Sequence, residues 1–451
     1  MIKISLLFSD MMPPALRASA LTVFAALALP ALAPADLVTD ANTTLMQAIR
    51  EFNTGATPAS REFAILQTAV FDSVNGIDTR YQFYRVAPAA AAGSSQQAAA
   101  AAAAHSVLTA LYPSKAASFD ATFSAQLSAL PSGPSRDNGV SWGNMVASNI
   151  LNWRASDHSG DFVNYVSGSQ AGDWRPTAPG FGPPDNPQWP TVTPWTLTGG
   201  AQFRPTTGPP ALASQAYTAY YTEAFELGAA TGSNRTVEQT DTALFWSYNS
   251  GSQTAVGHWN SVAHAVVAGK GNSMVDNARV FAALNTALAD AAIVASDAAY
   301  SYEFWRPITA IREAATDGNI NTAPLVNWDP LVTTPGSPEH VSANAAYAGA
   351  ASTVLNYLLG TETGFSLKSD RVPTVTNFYS NFDLAAGDAA LAGIYGGIQF
   401  RNSVVDGLDA GKLVGNQTAY QFFQPALIPE PSATGFLLLA AIVTCGRRRR
   451  D

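Results

Sequence analysis

The sequence predicts an all-α protein. Apolar residues recur at three- and four-residue spacing over helix-length segments, and alanine is concentrated inside them. The strict alternation expected of half-buried strands is scarce. At 451 residues, 47% hydrophobic and 13% charged, the chain can bury a large core and lacks the composition of a disordered protein.

The elements follow in order. Asn42–Phe52 and Pro58–Ile77 are the first helical segments, with Pro58 suited to a first helical position. Ser94–Tyr112 contains the unbroken run Ala98–Ala104 and stops at Pro113. Alanine has the highest helix propensity, so this run reads as helix rather than linker. Asn138–Ala155 places Trp142, Val146 and Ile150 on one face. Residues 156–213 are rich in Gly, Pro, Trp and Thr, which predicts irregular backbone wrapping the helical core with Trp174, Trp189 and Trp195 as pegs. The other reading is a covering or binding loop.

Helices resume at Ser214–Leu227, Thr236–Tyr248, Gly251–Val267 and Ser273–Tyr300. The last is apolar on nearly all sides, which predicts burial. Asn285, Asp290 and Asp297 inside it then need hydrogen-bond partners. Pro335 and Pro338 precede a helix over Ser342–Leu358, and Ala385–Leu413 is the last long helical stretch, broken at Gly396–Gly397.

Charge and cysteine content narrow the function. With 33 acidic against 24 basic side chains, the net charge is −9. That balance argues against a nucleic-acid partner, which needs a basic face. The single cysteine, Cys445, excludes an intrachain disulfide and any Cys-rich metal site. The five histidines are scattered, without metal-ligand spacing, so no metal is expected.

Both ends read as addresses. Lys3 and Arg17 precede the apolar stretch Ala18–Leu32, and Ala33-Pro34-Ala35 fits a signal-peptidase site, so residues 1–35 are expected to be a signal peptide. The alternative is an uncleaved anchor. At the other end, Pro429-Glu430-Pro431 is followed by the apolar run Ala433–Cys445 and by Arg447–Arg450. That run is shorter than the roughly 20 residues of a comfortable bilayer span, and the arginines favour the cytoplasmic side. The order resembles the PEP-CTERM sorting signal of Gram-negative bacteria. The resemblance implies that residues 428–451 are removed by an exosortase, and that the chain meets the membrane only through its terminal signals. The remaining residues 36–427 would form one exported domain with a net charge of −12, which disfavours long-range attraction of anions.

Three segments carry the chemistry: Tyr302–Arg312 with Trp305-Arg306-Pro307, Pro335–Ala345 with Glu339-His340-Val341-Ser342, and Ile394–Arg401 with Gly396-Gly397-Ile398-Gln399. They resemble the bacterial vanadium-dependent haloperoxidases of the type 2 phosphatidic acid phosphatase superfamily. Ala171–Thr177, Pro187–Pro190, Gly257–Asn260 and Asn277–Arg279 are similar too, in the same order, so the resemblance runs over roughly residues 40–425. It implies helical bundles packed side by side. It also implies a site that holds vanadate or phosphate with a lysine, two arginines, a serine hydroxyl and a helix-start N–H. One histidine bonds the metal or attacks phosphorus, and a second acts as general acid and base.

Carried over residue by residue, that pattern is mostly substituted. The lysine position is Ala299, and the arginine of the Arg-Pro pair is kept as Arg306. The serine is Ser342, the backbone donor is Ala343, and the acid–base histidine is Asn344. The second arginine is Gly393, and the metal-binding histidine is Gln399. At 4 Å and an effective dielectric of about 20, one charge pair is worth about 4 kcal/mol before desolvation. Losing two cations therefore weakens oxyanion affinity by orders of magnitude. Neither amide replaces imidazole as nucleophile or proton carrier. His340, four residues before Asn344, is the candidate to rescue proton transfer, and Arg401 the candidate to replace a cation. Asp297, Glu303 and Glu339 surround the same motifs; they pair with Arg306, Arg312 or backbone donors, or else form an acidic pocket.

Other motifs are negative. Gly269–Ser273 lacks Walker spacing, and Asp317–Asn321 starts like a calcium loop but has Thr322 and Trp328 where glycine and glutamate are needed. The expectation is an exported, envelope-sorted protein on a haloperoxidase-like scaffold whose oxyanion site is lost, non-catalytic, with no resident cofactor and an envelope or matrix partner. The alternative is an active haloperoxidase or acid phosphatase with a rebuilt pocket, which would take vanadate or phosphate. A third reading is an unrelated activity using the carboxylates.

Overall fold

The computed structural model of the protein describes residues 36–426. The signal and sorting segments, 1–35 and 428–451, lie outside the described residues. Helices α1 (Leu37–Phe52), α2 (Ala56–Asn75), α3 (Gln96–Leu111), α4 (Ala116–Ser128) and α5 (Pro134–Arg154) form the first half. The second half holds α6 (Gln215–Gly228), α7 (Val237–Phe245), α8 (Thr254–Val267), α9 (Met274–Tyr302), α10 (Pro307–Arg312), α11 (Ala343–Leu359), α12 (Phe382–Tyr395) and α13 (Arg401–Gln421). A hairpin of β1 (Phe365–Lys368) and β2 (Thr376–Tyr379) pairs antiparallel, with Phe365 opposite Tyr379.

Local chemistry explains the starts. Ser95, Ser214, Thr236, Ser273, Ser342 and Asn381 each cap a helix by accepting a first-turn N–H. Pro58 falls at the third residue of α2 rather than the first, because Gly55 is the cap. Helix α4 escapes the periodicity reading because Phe119 is its one buried residue. The hairpin escapes it because each strand has only four residues.

Packing places α9 at the centre. It contacts α2, α11 and α13, while α3 packs on α2 and α5. α9 is long and apolar enough to cross a membrane, yet it is almost wholly enclosed by the other helices. The alanine run of α3 is buried, and its small side chains permit close approach of neighbouring helices. Helices α11 and α13 approach closely enough that a Cβ at Gly411 would stand 2.1 Å from the Ala346 carbonyl oxygen.

Buried polar groups fix the irregular parts. Asp290 of α9 accepts from the Trp195 and Thr196 N–H groups, both at 2.7 Å, and from Thr196 Oγ1 at 2.6 Å. Trp174, Trp189 and Trp195 are buried, as pegs should be. Asn285 meets Asn260, and Asn260 meets Asn42, so the amides of α9 and α8 satisfy one another and reach α1. The last long helical stretch is two helices. The chain turns at Gly396–Gly397, where Gly397 has φ +77° and a Cβ would lie 2.4 Å from the Gly228 carbonyl oxygen.

Candidate functional site

The fold brings the sequence-derived positions together. Ala299 near the end of α9, Arg306 before α10, Ser342 to Asn344 at the start of α11, Gly393 near the end of α12, and Gln399 before α13 all line one cavity of about 530 Å³.

Arg306 is buried, and its donors are directed at the protein. Nε donates to the Ser337 carbonyl at 2.7 Å, Nη2 to Ser337 Oγ at 2.9 Å, and Nη1 to the Ile398 carbonyl at 3.0 Å. Gln399 completes the set. Its amide satisfies both neighbours in one orientation: the oxygen accepts from Arg306 Nη1 at 2.6 Å, and the nitrogen donates to Glu339 Oε1 at 2.8 Å. Glu339 Oε1 also accepts from the Phe400 N–H at 2.7 Å, and Ser403 Oγ donates to the Glu339 carbonyl at 3.0 Å.

Burial sets the charges of this array. It pushes the Glu339 carboxyl up to about 8, against the opposing pull of the Phe400 N–H and the Arg306 charge. It pushes the Arg306 guanidinium down to about 10, with Glu339 pulling the other way. At neutral pH the array is therefore a guanidinium, a bridging amide and a largely neutral acid.

The remaining positions are neutral. Ser342 Oγ accepts from the Ala345 N–H at 3.3 Å as the α11 cap. Ala343 and Asn344 stand in the first turn, whose N–H groups have no intrahelical acceptor. At Gly393 a Cβ would meet Gln399 Cγ at 2.7 Å, so the glutamine packs over the space that a larger residue at 393 would need.

The rescue candidates lie elsewhere. His340 is fully buried but does not line the cavity. Its Nδ1 faces Asn402 Nδ2 at 3.3 Å, Nε2 lies 3.6 Å from Asp406, and burial pushes it down to about 4, leaving a neutral ring. Arg401 pairs with Glu223 through Nε at 3.0 Å and a second, shorter contact. Asp297 pairs with Arg204 at 2.7 Å rather than with Arg306 or Arg312. Glu303 is exposed at the end of α9. Among the described residues no group of His, Cys, Asp and Glu could hold a metal ion. Asp317 accepts from the Asn319 N–H and from Thr322 Oγ1, both at 2.7 Å, which is turn chemistry.

Sequence reasoning missed Ser337 and Ser403. Ser403 had a signal, standing four residues after Gln399; Ser337 meets Arg306 only in space.

Comparison with known proteins bears on the fold. Residues 279–427, which include all seven positions, match the family model of the VCPO second helical-bundle domain. The structure of the first bacterial vanadium-dependent iodoperoxidase superposes with a TM-score of 0.76 at 23% identity, covering 86% of this chain and 97% of that one. The apo form of a bacterial vanadium-dependent chloroperoxidase gives 0.63 at 15% identity, covering 81% and 92%. The holo form gives 0.62 at 16% identity, covering 85% and 92%. The chain therefore has the vanadium haloperoxidase fold. No curated protein matches the sequence.

Proposed function

We propose that this protein is a non-catalytic, exported and envelope-sorted member of the vanadium haloperoxidase-like proteins, with its oxyanion site lost. The observation that carries this reading is the seat of Gln399. It stands where an imidazole is expected, covers Gly393 where the second arginine would stand, and bridges Arg306 to Glu339 through its amide. The residues present do not fit vanadate. One guanidinium, already bound to Ser337 and Ile398, is the sole cation lining the cavity among the described residues. The oxyanion would need several charge-assisted donors. Neither Asn344 nor Gln399 can move a proton near neutral pH. The terminal signals support export and sorting.

Calorimetric titration of the full chain with orthovanadate, repeated with phosphate, tests the lost site. No saturable heat is expected. One-site binding abolished by Arg306→Ala would overturn the reading and favour a rebuilt haloperoxidase or phosphatase pocket. Mass spectrometry of the chain recovered from the envelope and medium tests the sorting. A chain beginning at Asp36 and lacking the arginine cluster is expected; an intact cytoplasmic chain would refute it.

A further inference from the structure

The cavity is large for a site that has lost its ligand, and its wall is chemically distinctive. At about 530 Å³ it falls within the roughly 300–1,000 Å³ range of small-molecule sites. Among its lining residues only Asp185 and Arg306 are charged. Both are engaged by the protein: Arg306 as described, and Asp185 through the Gly336 N–H at 2.9 Å. Hydroxyl and amide side chains, Asn249, Thr334 and Asn344 among them, share the rest of the wall with apolar ones such as Ala299, Val332 and Ile398. Trp246, Tyr248 and Tyr300 add ring surface. Lining hydroxyls that include Thr254 Oγ1 and Thr334 Oγ1 are buried without a hydrogen-bond partner among the described residues.

Elimination narrows the ligand class. An anion finds one cation, with four of its five N–H groups already directed at protein acceptors, and approaches an acidic body. A metal cation finds a single lining carboxylate. An apolar molecule would strip water from many hydroxyls and amides without replacing the lost hydrogen bonds. A polyhydroxylated neutral molecule satisfies the wall, because its hydroxyls both donate and accept and its C–H faces pack on aromatic rings.

Resting on the reading that the oxyanion site is lost, we propose that this cavity binds an uncharged saccharide of one or two rings. Asn344, standing where the acid–base histidine is expected, is a specificity-determining contact to a sugar hydroxyl.

The test is calorimetry and saturation-transfer NMR on the full chain. The probes are glucose, galactose, mannose, N-acetylglucosamine, maltose and cellobiose, with galacturonate and orthovanadate as charged comparators. At least one neutral sugar should bind saturably, and more tightly than galacturonate. Asn344→Leu, similar in branching and without loss of helix propensity, should weaken that sugar about tenfold, as loss of one buried hydrogen bond does. The melting midpoint should not move. Asn249→Ala, at an exposed rim position, gives a second reading that does not threaten the fold. The proposal is overturned if none of the six sugars saturates, or if one does and both variants bind it like the parent. Orthovanadate binding would instead overturn the lost-site reading, which the sugar arms alone do not address.

Discussion

Replacing Glu339 by glutamine probes the buried array directly. Glu339 is fully buried, and its carboxyl is pushed up to about 8, whereas it titrates near 4.5 when unfolded. Below pH 4.5 both states hold the proton and its contribution to stability is fully present. Between about 4.5 and 8 the unfolded chain releases the proton while the folded chain keeps it. Stability then falls as pH rises, by at most about 1.4 kcal/mol per pH unit. Glutamine keeps the acceptor for the Phe400 N–H and never ionises. From pH 5.5 to 7.5 the parent should lose roughly 2–3 kcal/mol relative to Glu339→Gln. Other buried carboxyls raised by burial, such as Asp72 and Asp290, titrate alike in both proteins and cancel in the difference. The assay is guanidinium denaturation of both proteins at pH 5.5, 6.5 and 7.5. A difference in stability that stays constant across that range would refute the protonated, buried Glu339.

Two further outcomes follow from the packing. Asp290→Ala should leave the Trp195 and Thr196 N–H groups unpaired, cost about 3 kcal/mol, and open residues 186–213 to limited proteolysis; unchanged protease resistance would show that Asp290 does not hold the wrap. Gly397→Ala combines a left-handed φ with a Cβ 2.4 Å from the Gly228 carbonyl oxygen. It should lower the melting temperature by the equivalent of about 2–4 kcal/mol, and an unshifted melting curve would count against the tight turn between α12 and α13.

Much of this molecule is legible in its sequence. Helical periodicity and the alanine run of α3 are local, so they predict the all-α class and most helix positions. The glycine pair at 396–397 predicts the break before α13. The residue types at Ala299, Asn344, Gly393 and Gln399 are also local facts, and they supply neither an imidazole nor a cation. Tertiary structure decided what surrounds them. Arg306 is directed toward Ser337 and Ile398, residues 31 and 92 positions away along the chain. His340 is turned out of the cavity toward Asn402 and Asp406. Asp297 finds Arg204, a partner no spacing could name. The physical reason is the same each time. A buried charge or amide must be satisfied by whatever group the packed helices bring within about 3 Å, and that neighbour is set by the fold rather than by distance along the chain.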